Sequence, residues 1–253
     1  MVDDAPIHIA SGGADVAVRI TEGADPSVLW LGGFRSDMIG GKATALAEWG
    51  ADHGRRVVRF DYRGHGESGA RFEDCTLSDW LADARLVHET YCPGRTIAVG
   101  SSMGGWIALL MARALAREGR PFAGLVLIAP AADFTERLMW PRLPEPVRET
   151  ILSEGVAYLP SEYGPPLPIT RRLFEDGRQH LLYGDTPIET GCPVHILQGV
   201  EDPDVPYGHV LELVEHLAHD DVVLTLIKDG DHRLSREADL ARIIAAVEGI
   251  TRD

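Results

Sequence analysis

The sequence predicts an α/β protein: a mostly parallel central sheet with helices on both faces and a cap inserted between core strands. Two observations carry the core. Short, strongly apolar runs alternate with amphipathic stretches of helical period, and most of these runs stop abruptly at glycine or in a polar cluster. A third observation carries the cap. Between 131 and 184 the alternation breaks, and the stretch holds Pro141, Pro144, Pro146, Pro160, Pro165, Pro166 and Pro168. An interruption of that length is too long for a plain loop inside a compact domain. The core is therefore assigned to 1–130 and 185–253 as one domain, and 131–184 to the cap.

In chain order, PIHIA (6–10) and VAVRI (16–20) flank Ser11-Gly12-Gly13 and read as an antiparallel hairpin or two edge strands. VLWLGG (28–33) is a buried strand running into glycines. A helix over 42–49 leads through Gly54 to a strand over 56–60, and strand, helix, strand is the unit of a parallel sheet. DYRGHGESG (61–69) is too polar and glycine-rich to extend either element, so it forms a loop at the carboxyl end of a strand, where open α/β sheets place ligands. A helix follows from about Thr76 to Glu89, with Leu81, Ala84 and Val87 on one side. Ile97-Ala98-Val99 is a buried strand, with a helix over 106–116 behind it, and 123–128 is the next strand. Within the cap, short helices fit 147–154 and 169–177. The sheet resumes at 193–198, a helix covers 208–217, a strand 221–227, and a last helix starts near Ser235, whose hydroxyl can cap it.

The chemistry is concentrated at three strand ends. Gly100-Ser101-Ser102-Met103-Gly104 is a G-x-S-x-G pentapeptide between strand and helix. Glycines two positions either side of Ser102 let neighbouring backbone approach, so that the serine can be held at a sharp turn with its hydroxyl exposed. Ser101 lacks that symmetric spacing. Asp202 and Asp204 share the loop after the 193–198 strand, and His232 follows the 221–227 strand. A serine hydroxyl is a weak nucleophile at its own pKa. A histidine must take its proton, and a carboxylate must fix and stabilise that histidine. Ser102, Asp202 and His232 are the expected triad, with Asp204 and then Asp133 as alternative acids and Asp231 as a solvated turn residue.

The backbone N–H groups of Phe34 and Met103 are placed to bind an oxyanion. Phe134, Leu138, Met139 and Trp140 are candidates for the substrate pocket, with Leu143, Leu159 and Tyr163 as further candidates for its roof. His65 either lines the cleft or is a hydrogen-bonded loop residue. Asp61, Glu67 and Asp74 read as loop anchors.

Several classes are disfavoured. A formal net charge of -15 opposes nucleic acid as a partner. No GxGxxG opens a helix, no P-loop lysine occurs, and no cluster has metal-ligand spacing, so no cofactor and no metal is expected. No run of 18 apolar residues is present, so stable membrane insertion is not expected. Cys75, Cys92 and Cys192 are sparse and odd in number, which suits free thiols. With an acidic opening (MVDDAPIHIA) that matches neither a secretory signal nor an arginine-rich transit segment, a cytoplasmic location is expected.

Together, DYRGHGES at 61–68, GSSMGG at 100–105, the G-x-x-D-x-x-V-P run at 199–206 and His232 resemble the α/β-hydrolase fold serine hydrolases. LGGFRSDMIGGKA at 31–43 and GDHRLS at 230–235 are similar to the branch containing mitochondrial palmitoyl-protein thioesterase and acyl-glucuronide esterase. The resemblance implies hydrolysis of carboxylic esters or acyl thioesters through an acyl-serine. The partner would be a small-molecule ester or acyl thioester, or an acylated protein. Amide or carbon–carbon bond hydrolysis, and small-molecule binding without catalysis on the same fold, stand as alternatives.

Overall fold

The structure is a computed structural model that describes residues 5–160, 166–184, 186–217 and 219–251. Tyr163, proposed from sequence for the cleft roof, lies outside the described residues. The core strands are β1 (Ile7–Ser11), β2 (Ala14–Thr21), β3 (Ala24–Leu31), β4 (Arg55–Phe60), β5 (Thr96–Ser101), β6 (Gly124–Ile128), β9 (Val194–Gly199) and β10 (Val222–Ile227). They form one eight-stranded sheet in the order β1-β2-β4-β3-β5-β6-β9-β10. Strand β2 pairs antiparallel with both β1 and β4, and every other pairing is parallel. The expected fold class therefore holds.

Helices cover both faces because the strands alternate. In β5, Ile97 and Val99 face a cluster with Ala43, Leu46 and Trp49 of α1 (Gly41–His53) and Ile243 and Val247 of α7 (Glu237–Thr251). Ala98 faces the opposite cluster, built with Trp80 and Val87 of α2 (Leu77–Tyr91) and Trp106, Leu109 and Leu110 of α3 (Met103–Arg117). Residues 97–99 are fully buried, as a central parallel strand covered on both faces requires. The three cysteines are free and buried.

Local chemistry sets several ends. Gly54 stops α1 in the left-handed conformation (φ 62°), its N–H donating to Gly50 O. Thr76 opens α2, and the Asp79 carboxylate accepts its N–H at 2.9 Å. Helix α7 begins at Glu237, two residues beyond Ser235. Strand β3 stops at Leu31, so Gly32 and Gly33 fall in the following loop rather than in the strand.

Between β6 and β9 lies the inserted region. It starts with irregular helical turns over 135–142 and continues through α4 (Glu145–Glu154), β7 (Val156–Leu159), β8 (Leu167–Thr170) and α5 (Arg171–Gly177). Strands β7 and β8 form an antiparallel ribbon, with Pro168 opposite Tyr158. The helix expected from Ile169 thus begins at Arg171. A two-stranded ribbon has free edges, so a proline costs it little. The Thr170 hydroxyl oxygen accepts the Leu173 N–H at 3.2 Å and caps α5. One carboxylate staples the two roots of the region together: Asp133, 1 % exposed, accepts the N–H groups of Leu182 at 2.8 Å and Tyr183 at 2.9 Å.

Candidate active site

Strand β5 delivers Ser101 as its last residue and Ser102 onto the turn into α3. Ser102 has φ 53° and ψ -118°, a region that costs a non-glycine residue about 1–3 kcal/mol. Surrounding contacts hold it there. Its N–H donates to Ile128 O at 2.9 Å, and its own carbonyl accepts from Gly105 N at 2.9 Å and Ala131 N at 3.1 Å. The flanking glycines are required by close approach. A Cβ on Gly100 would lie 2.4 Å from Gly104 O, and one on Gly104 would lie 2.0 Å from Leu31 O.

His232, on the loop after β10, reaches Ser102 through Nε2, 3.1 Å from Oγ. Its Nδ1 lies 2.8 Å from Asp202 Oδ2. Asp202 sits on the loop after β9, and its other oxygen accepts the N–H groups of Asp204 at 2.8 Å and Val205 at 2.9 Å. Burial would raise the Asp202 carboxyl, but the bonds from His232 and from these two amides outweigh it and hold the group below the usual carboxylate range. Gln198 adds an Nε2–H bond to Asp202 Oδ2 at 3.2 Å. The three expected side chains are thus one hydrogen-bonded series, Asp202–His232–Ser102.

The other acids have different places. Asp204 is exposed, and its N–H is engaged by Asp202. Asp133 is the staple just described, and burial raises its carboxyl against the pull of the Tyr183 and Leu182 amides. Asp231 accepts the Leu234 N–H at 2.9 Å within the histidine loop, as a turn residue does. One donor oxygen each of Asp202 and Asp204 and a ring nitrogen of His232 fall within 4.8 Å of one another. Both nitrogens of the ring and the oxygens of Asp202 are already committed to the bonds above, so the grouping is explained without a cation.

A cleft of about 410 Å3 opens on the serine, lined by Phe34, Ser102, Met103, Ala131, Phe134, Leu138, Met139, Arg142, Leu143, Asp204, Val205 and His232. Phe134, Leu138 and Met139, the pocket candidates from the sequence, are among these lining residues. Trp140 is not. Its ring packs edge-on to Phe174, centroids 4.8 Å apart, because the turn at 140–142 points the indole into the cap's own small core with Ile151 and Ile169. Leu159 joins that same core.

Phe34 follows the two glycines after β3. A Cβ on Gly33 would lie 3.5 Å from Ser102 Cβ, which places the Gly33–Phe34 peptide beside the serine. Met103 is the first residue of α3, and both residues line the cleft with Ser102. No hydrogen bond involves the N–H of Phe34 or of Met103 among the described residues.

Two contributors were not visible in the sequence. Arg142 donates from Nη1 to the carbonyls of Pro203 at 3.0 Å and Asp204 at 2.9 Å, tying the cap to the acid loop. Lys42, at the start of α1, donates from Nζ to Arg233 O at 2.5 Å and anchors the histidine loop. Burial lowers the Lys42 pKa, opposed by Asp231. All three bonds join segments far apart in the chain, and no local pattern marks them.

The polar residues of the 61–69 loop are structural. Asp61 accepts the N–H groups of Met38 at 2.6 Å and Glu67 at 2.8 Å. Arg63 forks onto Asp83 and Asp79. Glu67 pairs with Arg19 on the surface. Asp74, also exposed, has Arg71 3.9 Å away. His65 is buried, with a backbone partner at each ring nitrogen, so it does not line the cleft.

Residues 28–173 match the family model described as Serine aminopeptidase, S33. Over 238 residues the chain is 32% identical to the protein named Palmitoyl-protein thioesterase ABHD10, mitochondrial, of Mus musculus, covering 93% of this chain and 78% of that protein. Among solved structures, a putative hydrolase from Agrobacterium vitis superposes with a TM-score of 0.89 at 46% identity, over 97% of both chains. The mouse alpha/beta hydrolase domain-containing protein 10 superposes with a TM-score of 0.86 at 29% identity, over 98% of this chain and 99% of that one.

These relatives correct the expected cytoplasmic location: the curated ones carry a mitochondrial location in their names. That expectation took the want of an apolar or arginine-rich opening for an address, whereas such composition speaks only to membrane insertion and to one class of leader. Among the described residues no helix is long and apolar enough to cross a membrane.

Proposed function

Because the chain belongs to the α/β-hydrolase fold serine hydrolases, on the branch of the ABHD10 thioesterases, we propose that Ser102, His232 and Asp202 are the residues with which it hydrolyses esters and acyl thioesters. The observation that carries this reading is the unbroken series from Asp202 through His232 to Ser102 Oγ, opening on an apolar cleft.

In this reading His232 Nε2 takes the Ser102 proton as Oγ attacks the substrate carbonyl carbon. Asp202 holds the Nδ1–H tautomer and stabilises the imidazolium that forms. The carbonyl electrons move onto oxygen, which the N–H groups of Phe34 and Met103 bind. One such donor typically contributes about 3 kcal/mol in the transition state, about 10²-fold in rate. Collapse expels the alkoxide or thiolate, which leaves with the proton held by His232. Water activated by the same histidine then releases the acid from the acyl-serine.

The acyl group is read as a medium or long chain lying along Phe134, Leu138 and Met139, the aromatic and aliphatic walls that a hydrocarbon tail would cover. The palmitoyl-protein thioesterase named among the relatives is consistent with such a tail. Residues 131–184 act as the cap over this cleft, a division supported by the Asp133 staple at its two roots. The test is a panel of oxyesters and thioesters of graded chain length, run on the native protein and on Ser102→Ala. Turnover that survives in Ser102→Ala would refute the nucleophile. A rate independent of chain length would refute the acyl site.

A further inference from the structure

We infer that His65 is a positioning residue for the oxyanion site: its Nε2 lone pair fixes the Gly33–Ser36 turn so that the Phe34 N–H faces Ser102. This rests on the proposed role of the Phe34 amide.

The geometry is specific. Residues 33–36 form a four-residue turn closed by the Ser36 N–H on the Gly33 carbonyl at 3.0 Å. In a trans peptide the C=O and N–H point in opposite directions. Pinning Gly33 O toward Ser36 therefore aims the Phe34 N–H the other way, out of the turn. The third turn residue, Arg35, has φ 58°. Turns with positive φ at that position favour glycine, and a larger residue there is strained. An arginine in place of glycine therefore needs an external restraint.

His65 supplies one. Arg35 N donates to His65 Nε2 at 3.0 Å, while His65 Nδ1 lies 3.2 Å from the Arg63 carbonyl. A carbonyl only accepts and an N–H only donates, so the two partners together select the neutral ring with its proton on Nδ1. The Gly33–Phe34 peptide is thus held by Ser36, and the Phe34–Arg35 peptide by His65. The ring cannot shift to release it: His65 is 4 % exposed and meets Tyr62, Phe72 and Trp80 edge-on at centroid distances of 5.8, 5.1 and 5.3 Å. Burial also lowers its pKa to about 4, which keeps the Nε2 lone pair free near neutral pH. A histidine serving only to fill this aromatic site would not need an acceptor aimed at the turn.

The inference is tested on the wild type and two variants. In the 15N-labelled wild type, a scalar coupling across the Arg35 N–H···Nε2 bond is expected at neutral pH, and its absence would overturn the proposal. His65→Phe keeps the aromatic packing but removes the acceptor, whereas His65→Gln places an amide oxygen near the position of Nε2. With a p-nitrophenyl acyl ester, His65→Phe is expected to lose about 10- to 100-fold in kcat with KM within about threefold. Affinity for an alkyl trifluoromethyl ketone, whose Ser102 adduct carries the oxyanion, should fall by a similar factor. His65→Gln should recover most of both losses. If both variants melt cooperatively yet keep kcat and ketone affinity within about threefold of the wild type, the positioning role is refuted. If His65→Phe does not fold, the glutamine variant and the coupling decide. Wild-type protein without Ser102-dependent ester turnover would instead remove the functional reading on which the proposal rests, whatever the coupling.

Discussion

Replacing Asp133 by asparagine should cost stability and spare chemistry, while the same replacement at Asp202 should remove most of the chemistry and, because His232 and two backbone amides hold that carboxylate charged, cost some stability as well. Asp133 has φ 54°, a conformation that asparagine tolerates well, so the backbone is not the variable. Its two oxygens accept Leu182 N at 2.8 and 3.0 Å and Tyr183 N at 2.9 Å. Asparagine retains one oxygen and turns an NH2 group toward the second amide, so about one charge-assisted bond is lost. Such bonds contribute about 1.5–3 kcal/mol each, partly offset because a neutral amide is cheaper to bury than a carboxylate. Because burial raises the Asp133 carboxyl, losing its charge offsets much of that bond; a net loss of about 1 kcal/mol corresponds to a fall in Tm of about 2–4 °C at this chain length. At Asp202, asparagine removes the carboxylate that fixes His232, and kcat should fall by about 10⁴-fold, as in serine hydrolases generally. Thermal melting and p-nitrophenyl ester turnover, measured on the same preparations, separate the two. A folded Asp133→Asn protein that loses activity while Asp202→Asn keeps it would invert the assignment of the acid.

Further outcomes follow from the same geometry. Ser102→Ala should lower ester turnover at least about 10³-fold and abolish labelling by a fluorophosphonate, read by intact mass, with Tm little changed. His65 gives a pH signature: its pKa falls from 6.5 unfolded to about 4 folded, through burial and Arg35 against the Arg63 carbonyl and Asp83. Between those values the unfolded chain binds more protons, so stability falls as pH falls, by about 3 kcal/mol for this group. Urea melts at pH 7 and pH 4.5 should therefore differ less for His65→Phe than for the wild type, while His209, also lowered to about 4 by burial and Arg137, keeps part of the slope in both. An equal slope would refute the neutral His65. Leu138→Trp narrows the cleft and should cut kcat/KM for the longest esters about tenfold while leaving acetyl esters within about twofold. A uniform loss would place Leu138 outside the acyl path.

The parts of this protein that the sequence disclosed are those whose chemistry is local. Gly100 and Gly104 must be glycine because backbone atoms of neighbouring segments occupy their Cβ positions, so the elbow is spelled out in consecutive residues. Asp202 and His232 were legible because each follows the apolar run of a strand. What separates Asp202 from Asp204 is loop geometry, in which one Asp202 oxygen folds back on the Asp204 and Val205 amides. Trp140 was misplaced because a large apolar residue in a cap serves a roof and a private core equally well, and only the direction of the turn at 140–142 decides. The β7–β8 ribbon was missed because prolines mask its alternation. The roles of Asp133, Arg142, Lys42 and His65 depend on partners brought close only by folding.

The staple at Asp133 also bears on how the insertion can change. Leu182 stands 49 positions along the chain from Asp133, yet its N–H bonds to the Asp133 carboxylate. For the sheet, everything between these two anchors is a closed loop with fixed ends. The entropy of such a loop grows with the logarithm of its length, so doubling it costs only about 0.6 kcal/mol. Loop closure therefore sets little limit on the length of the roof, provided the new segment leaves and returns through the same two points and replaces the contacts that Arg142, Leu173 and Asp176 make with the core. Substrate range can then be altered by replacing the intervening segment, without altering the serine or the strands that hold it.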